Sequence, residues 1–124
     1  MNSLKFTVYC DNHNPIPYKR TTQKQKFKDL GYQRYIGWKN QIISEFIKSF
    51  NKYPHQLLVK NKKYYVNVKA YYKDKTHGDT DNVAKGVNDA IFATPLNDKY
   101  VAGSYDFDYD KNNPRVEIEI RKGF

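Results

Sequence analysis

Cysteine is almost missing from this chain: Cys10 stands alone in 124 residues, so no intrachain disulfide can form. Zinc is disfavoured for the same reason, because His13, His55 and His77 are scattered and offer none of the short Cys/His spacings that such sites use. No apolar run approaches the roughly 20 residues of a spanning helix. The opening MNSLKFTVYC has neither the apolar core nor the cleavage signal of an export sequence. The expectation is a soluble, cytoplasmic protein. A phosphate-cradling glycine loop is missing too, as are internal repeats, low-complexity segments and linkers. Acidic side chains are the scarce charge, 13 against 22 basic ones.

That imbalance leaves a formal charge of +9 and a pI near 9.5 in 14.7 kDa. It serves solubility, or it serves a polyanionic partner, for which nucleic acid is the better candidate than a membrane. The hydrophobic share is only 39%, but the chain holds 12 Tyr, 7 Phe and one Trp. Tyrosine buries a ring while keeping a polar tip. The composition therefore suits one folded domain over residues 1–124, with a modest core and an aromatic, polar surface.

Leu4, Phe6, Val8 and Cys10 alternate with Lys5, Thr7 and Tyr9, the period-two pattern of a half-buried strand. Cys10 closes that alternation and reads as a small buried side chain. Pro15 and Pro17 mark an extended loop, followed by the basic residues Lys19, Arg20, Lys24, Lys26 and Lys28. Over residues 32–50 the period changes: Tyr35, Trp38, Ile42, Ile43, Phe46, Ile47 and Phe50 recur at three and four, although Gly31 and Gly37 weaken the helix start. A short strand is expected at 57–59 and a longer one in YYVNVKAYY, residues 64–72. A second helix should span about 81–92, burying Val83, Val87, Ala90 and Ile91 and ending before Pro95. Two strands close the chain, about 99–109 and 115–121, and the DKNNP between them predicts a hairpin. The fold class is α/β (α+β), a single domain in the order β-α-β-α-β-β. Its small mixed sheet carries two helices on one face.

One stretch stands apart from the basic background: His77-Gly78-Asp79-Thr80-Asp81-Asn82-Val83-Ala84-Lys85. Asp79 falls on the loop leaving a strand and Asp81 at the start of a helix, so two carboxylates can converge. Lys85 and Asp89 follow at steps of four on the same helix face. A purely structural account is available, since acidic groups cap helix N-termini and an Asp81–Lys85 pair is an ordinary surface contact. A calcium EF-hand is not: Val83, Ala84 and Ala90 occupy positions that need an oxygen ligand, a Gly and a Glu. Two close carboxylates without a thiol suit a hard cation, Mg²⁺ or Mn²⁺. In a basic chain that combination suggests phosphodiester chemistry. Asp106, Asp108 and Asp110 also alternate, as a solvated strand face would.

The run H-G-D-x-D-N-x-x-K, followed by Asp89-Ala90-Ile91 and then Asn97-Asp98-Lys-Tyr-Val101, resembles the RusA-type Holliday-junction resolvases. The Pro-rich loop with its basic pair, the long helix and the closing V-E-I-E-I strand match that family's layout. The resemblance implies a Mg²⁺-dependent, homodimeric endonuclease that cuts four-way DNA junctions in recombination and repair. By position it assigns Asp79, Asp81 and Asp98 to the metal and Lys85 to catalysis. It leaves His77, Asn82 and Asp89 as supporting residues. Asn97 departs from the family, which has an acidic residue there; an inactive DNA-binding module, or a nuclease for other branched DNA, is the alternative. Lys19, Arg20, Lys24, Lys26 and Lys28 are the candidates for DNA-backbone contacts, with Lys60, Lys62, Lys63, Lys69 and Lys73 as an extension of the patch.

Overall fold

The computed structural model describes residues 3–20, 29–52, 63–92 and 101–122. Four strands and two helices follow in the order expected: β1 (Ser3–Tyr9), α1 (Leu30–Lys52), β2 (Tyr64–Tyr72), α2 (Thr80–Phe92), β3 (Val101–Tyr109) and β4 (Arg115–Lys122). The expected strand at 57–59 lies outside the described residues.

Alternation decides which face of the sheet is buried. Leu4, Phe6 and Val8 of β1 stand opposite Ile120, Ile118 and Val116 of β4. Those in turn stand opposite Val66, Val68 and Ala70 of β2. Apolar side chains thus form continuous rows across three strands, and all nine are buried. Both helices pack on this face; α1 adds Tyr35, Trp38 and Ile42 to the buried set, and α2 adds Val83, Val87, Ala90 and Ile91. Each such large apolar side chain contributes about 1.5–3 kcal/mol on burial. Ile47, expected on the buried stripe, is 49% exposed. It lies five residues past Ile42, about 140° further round the helix, which carries it off the stripe.

The opposite face carries polar and aromatic side chains that satisfy one another. Arg115 lies 3.8 Å over the Tyr71 ring and pairs with Asp110 and Glu117 at 2.9 and 3.0 Å. Ser104 bonds Asn67 at 2.9 Å, and Lys5 reaches Glu119 at 3.6 Å.

The sheet order is β1-β4-β2-β3, which corrects the expected hairpin. DKNNP does reverse the chain, with Asn113 N–H bonding the Asp110 carbonyl. The reversal crosses over β2 rather than joining neighbours. β4 inserts antiparallel between β1 and β2, where its three aliphatic side chains are covered, and β3 pairs parallel with β2 at the sheet edge. Parallel pairing requires a crossover, and α2 supplies it.

Helix α1 starts two residues earlier than its periodicity suggests because Asp29 caps it. The Asp29 side chain accepts from Tyr32 N–H at 3.0 Å and its carbonyl accepts from Gln33 N–H at 3.0 Å.

Candidate active site

The β2-α2-β3 crossover positions the acidic stretch. Chain leaving the carboxyl end of β2 turns through 73–79 and enters α2, so the stretch sits at a helix N-terminus beyond a parallel strand, a recurrent place for ligands. The turn is held from several sides. The Asn14 amide donates to Asp74 Oδ1 and the Thr76 carbonyl, both at 3.0 Å, while its oxygen accepts from Lys73 N–H at 2.7 Å. Pro17 lies so close to Gly78 that a Cβ there would sit 3.0 Å from the proline ring.

His77 is packed rather than free. Its ring stacks on Tyr72 at 3.6 Å with the planes 4° apart. Nδ1 bonds the Gly78 carbonyl at 2.7 Å, and since a carbonyl only accepts, Nδ1 carries the proton. In the neutral ring Nε2 then accepts from the Tyr109 hydroxyl at 2.9 Å. Below it, Tyr72 and the buried Thr80 share a 2.9 Å hydroxyl bond. Burial, the largest influence on Tyr72, raises its pKa.

Asp79 and Asp81 both lie on the surface. The Asp79 carbonyl accepts from Asn82 and Val83 N–H at 3.1 and 3.2 Å, opening α2. Asp81 Oδ1 accepts from Asn82 N–H at 2.9 Å. Among the described residues neither carboxylate has a Lys or Arg within ion-pair distance, and that includes Lys85. The Lys85 ammonium instead stands 4.5 Å over the Tyr18 ring. The surface-pair account of Asp81 and Lys85 therefore does not describe this arrangement.

Tyr18 was not among the sequence candidates, and neither was Asn88. Tyr18 N–H donates to the Asn82 carbonyl at 2.9 Å, which lays the proline loop along α2. Gly86 eases the approach: a Cβ there would meet the Tyr35 ring at 3.3 Å and Tyr18 N at 3.4 Å. Tyr18, Asp81, Ala84, Lys85, Asn88, Asp89, Val101 and Tyr105 line an open cleft of about 450 Å³. Asn88 Oδ1 is buried there without a partner among the described residues. A second groove of similar volume lies on the opposite face of the sheet, among the mutually bonded side chains described above, away from the carboxylate pair.

Asp89 faces α1. Its Oδ2 accepts from the Tyr35 hydroxyl at 2.6 Å and from Lys39 at 3.0 Å. Burial first, then the bond to Asp89, raises the Tyr35 pKa. Asp89 thus ties α2 to α1, and is not free to turn to the carboxylate pair.

Of the basic candidates, Lys19 is bonded to the capping Asp29 at 2.9 Å, and this bond, followed by the Tyr32 N–H, lowers the Asp29 pKa. Arg20 is exposed with no partner among the described residues. Lys69 belongs to the opposite face of the sheet, over Tyr71 at 5.2 Å, because β2 alternates; it does not extend a patch around the cleft. Lys63 lies 5.0 Å from the Tyr65 ring and Lys73 bonds the Asn12 carbonyl at 2.9 Å. Lys24, Lys26, Lys28, Lys60, Lys62, Asn97 and Asp98 lie outside the described residues. The described residues contain no cluster of three or more His, Cys, Asp or Glu placed for a metal.

Residues 14–121 match the family described as Endodeoxyribonuclease RusA. The chain belongs to that family. The match covers the proline loop, both helices, β2, β3 and nearly all of β4, so it includes every side chain of the cleft. RusA membership implies a junction-resolving endonuclease acting on DNA, which gives the +9 charge a partner. No curated protein matches the chain at a significant level. No helix among the described residues is long and apolar enough to cross a membrane.

Proposed function

We propose that this RusA-family chain is a divalent-metal-dependent endonuclease, working in the cytoplasm as a homodimer and nicking opposed strands of four-way DNA junctions during recombination and repair. The observation that carries the reading is the state of Asp79 and Asp81. In a chain with nine surplus positive charges, two surface carboxylates two residues apart in sequence have no cationic partner among the described residues, and Lys85, one helical turn beyond Asp81, lies over an aromatic ring instead. Exposed oxygen donors free of ion pairs fit Mg²⁺ or Mn²⁺. Asp79 and Asp81 would hold the ion, with Asp98 as the third ligand the family resemblance assigns. When bound, such an ion polarises a phosphodiester and makes water a better nucleophile.

The chain's own residues do the rest. The Lys85 ammonium lies over the Tyr18 ring and pairs with no carboxylate among the described residues, so its charge stays available for the scissile phosphate or the departing oxygen. The N-terminus of α2 adds a favourable potential for the same anion. Asn88 offers an unpaired acceptor inside the cleft, where it can order a water or a sugar hydroxyl. His77 fixes the turn from which Asp79 projects. Arg20 is free to meet the DNA backbone, and two copies would place two such sites on a two-fold junction.

Asp81→Asn tests the assignment. It should abolish cleavage while leaving junction binding equal or tighter, because negative charge beside the phosphates is removed. Normal cutting by that variant would remove Asp81 from the site. Tight junction binding by the unaltered chain, without cleavage in Mg²⁺ or Mn²⁺, would support the binding-module alternative and point to Asn97.

A further inference from the structure

The apolar rows of the sheet do not stop at β2. Through the parallel register, Val68, Ala70 and Tyr72 stand opposite Tyr105, Phe107 and Tyr109 of β3. These three rings lie on the helix-bearing face but beyond the helices' cover, 55%, 48% and 44% exposed. An edge strand gains no solubility from three large rings on its uncovered side. We propose that this aromatic strip binds unpaired nucleobases of branched DNA by stacking, alongside the carboxylate pair; the inference rests on the nuclease reading of that site.

The strip is continuous with the candidate site at both ends. Tyr105 lines the cleft that holds Asp81 and Lys85. Tyr109 bonds His77, two residues before Asp79. Phe107 meets Tyr109 edge-to-face at 5.9 Å and lies 6.0 Å from the His77 ring, so the rings brace one another. A strand sets side chains on one face about 6.8 Å apart, twice the roughly 3.4 Å between stacked bases. Bases seated on successive rings must therefore have left their own stack. Duplex DNA hides its base faces, and only unpaired nucleotides expose them, so the strip discriminates structure rather than sequence.

Size and charge favour this occupant over a second copy of the chain. Three half-exposed rings present roughly 300 Å², against about 800 Å² per partner in a stable protein interface. The chain's surplus of nine positive charges favours nucleic acid as a partner, and Lys85 lines the same cleft as Tyr105 at one end of the strip.

The test uses the full chain in EDTA, where no cleavage intervenes. Anisotropy titrations compare a labelled oligothymidylate with a blunt duplex. The double variant Tyr105→Leu with Phe107→Leu keeps apolar bulk but removes the π faces. It should bind the oligothymidylate roughly ten- to a hundred-fold more weakly and the duplex with little change. Phe107→Tyr should bind both as the unaltered chain does. Unchanged oligothymidylate affinity in the double variant, or an equal loss on both probes, would overturn the proposal. So would conversion of a dimer to a monomer in sedimentation, which would make the strip a self-interface. If circular dichroism shows the double variant unfolded, Phe107→Leu alone is read in the same way. Junction cleavage by the unaltered chain in Mg²⁺ is run in parallel. Its failure would strike the nuclease reading, whereas the oligothymidylate result in EDTA decides the strip.

Discussion

Removing the Asp89 carboxylate should damage the protein more than removing its partner's hydroxyl. Tyr35 is 2% exposed, and its hydroxyl reaches Asp89 Oδ2 at 2.6 Å. Asp89→Ala leaves that buried donor unsatisfied, a cost of about 1–3 kcal/mol. It also breaks the partly exposed ion pair with Lys39, worth no more than about 1 kcal/mol. The sum is about 1–4 kcal/mol. Tyr35→Phe removes the donor itself and leaves Asp89 paired with Lys39, so about 1 kcal/mol is expected. The double variant should cost less than the two singles added, because the unsatisfied donor is gone. Urea unfolding with a shared m-value measures all three. Asp89→Asn should keep metal-dependent cleavage, since an amide oxygen can still accept from Tyr35. Loss of metal binding on that change, or additive losses in the cycle, would refute the view of Asp89 as the tie between α1 and α2.

Other consequences are equally direct. Gly37 lies exposed inside α1 with open space where a Cβ would go, so Gly37→Ala should stabilise by about 0.8–1 kcal/mol in the same urea assay. Cys10 is buried, and burial first, then Asp11, pushes its pKa from 9.0 to about 12. The raised value means the stabilisation is complete below pH 9.0 and is lost as pH climbs towards 12. Cys10→Ala should flatten that alkaline decline in thermal melts. Arg20→Ala should lower the salt slope of DNA binding by about 1 without changing stability. Lys19→Ala should instead shift the acid limb of unfolding. Asp29, with its pKa lowered by Lys19, contributes stability above its ordinary value that is lost as pH falls through the depressed one.

Local order was legible because it is carried by period. The alternation of Leu4, Phe6 and Val8 and the three-and-four spacing of Tyr35, Trp38 and Ile42 each name an element and its buried face. Strand order is not carried that way. DKNNP shows that the chain turns, but only the demand to cover Val116, Ile118 and Ile120 on both sides places β4 between β1 and β2. The aspartates and Lys85 stood out as a charge anomaly in one short stretch. Tyr18, Asn88 and the β3 rings did not, because their roles arise from contacts across the fold. In a chain with 12 tyrosines, no spacing rule tells which ring lies against Lys85 or beyond the helices' cover. Asp29 was the missed local signal, a helix cap directly ahead of the periodic run.

Cleavage of a labelled four-way junction beside linear duplex and single strand, in Mg²⁺ and in EDTA, decides whether this chain is a metal-dependent nuclease. Paired nicks are expected in the junction, only with metal, and none once Asp79 or Asp81 is replaced by Asn. Cutting that persists in EDTA, or in either Asn variant, or no cutting by the unaltered chain with metal, would overturn that assignment.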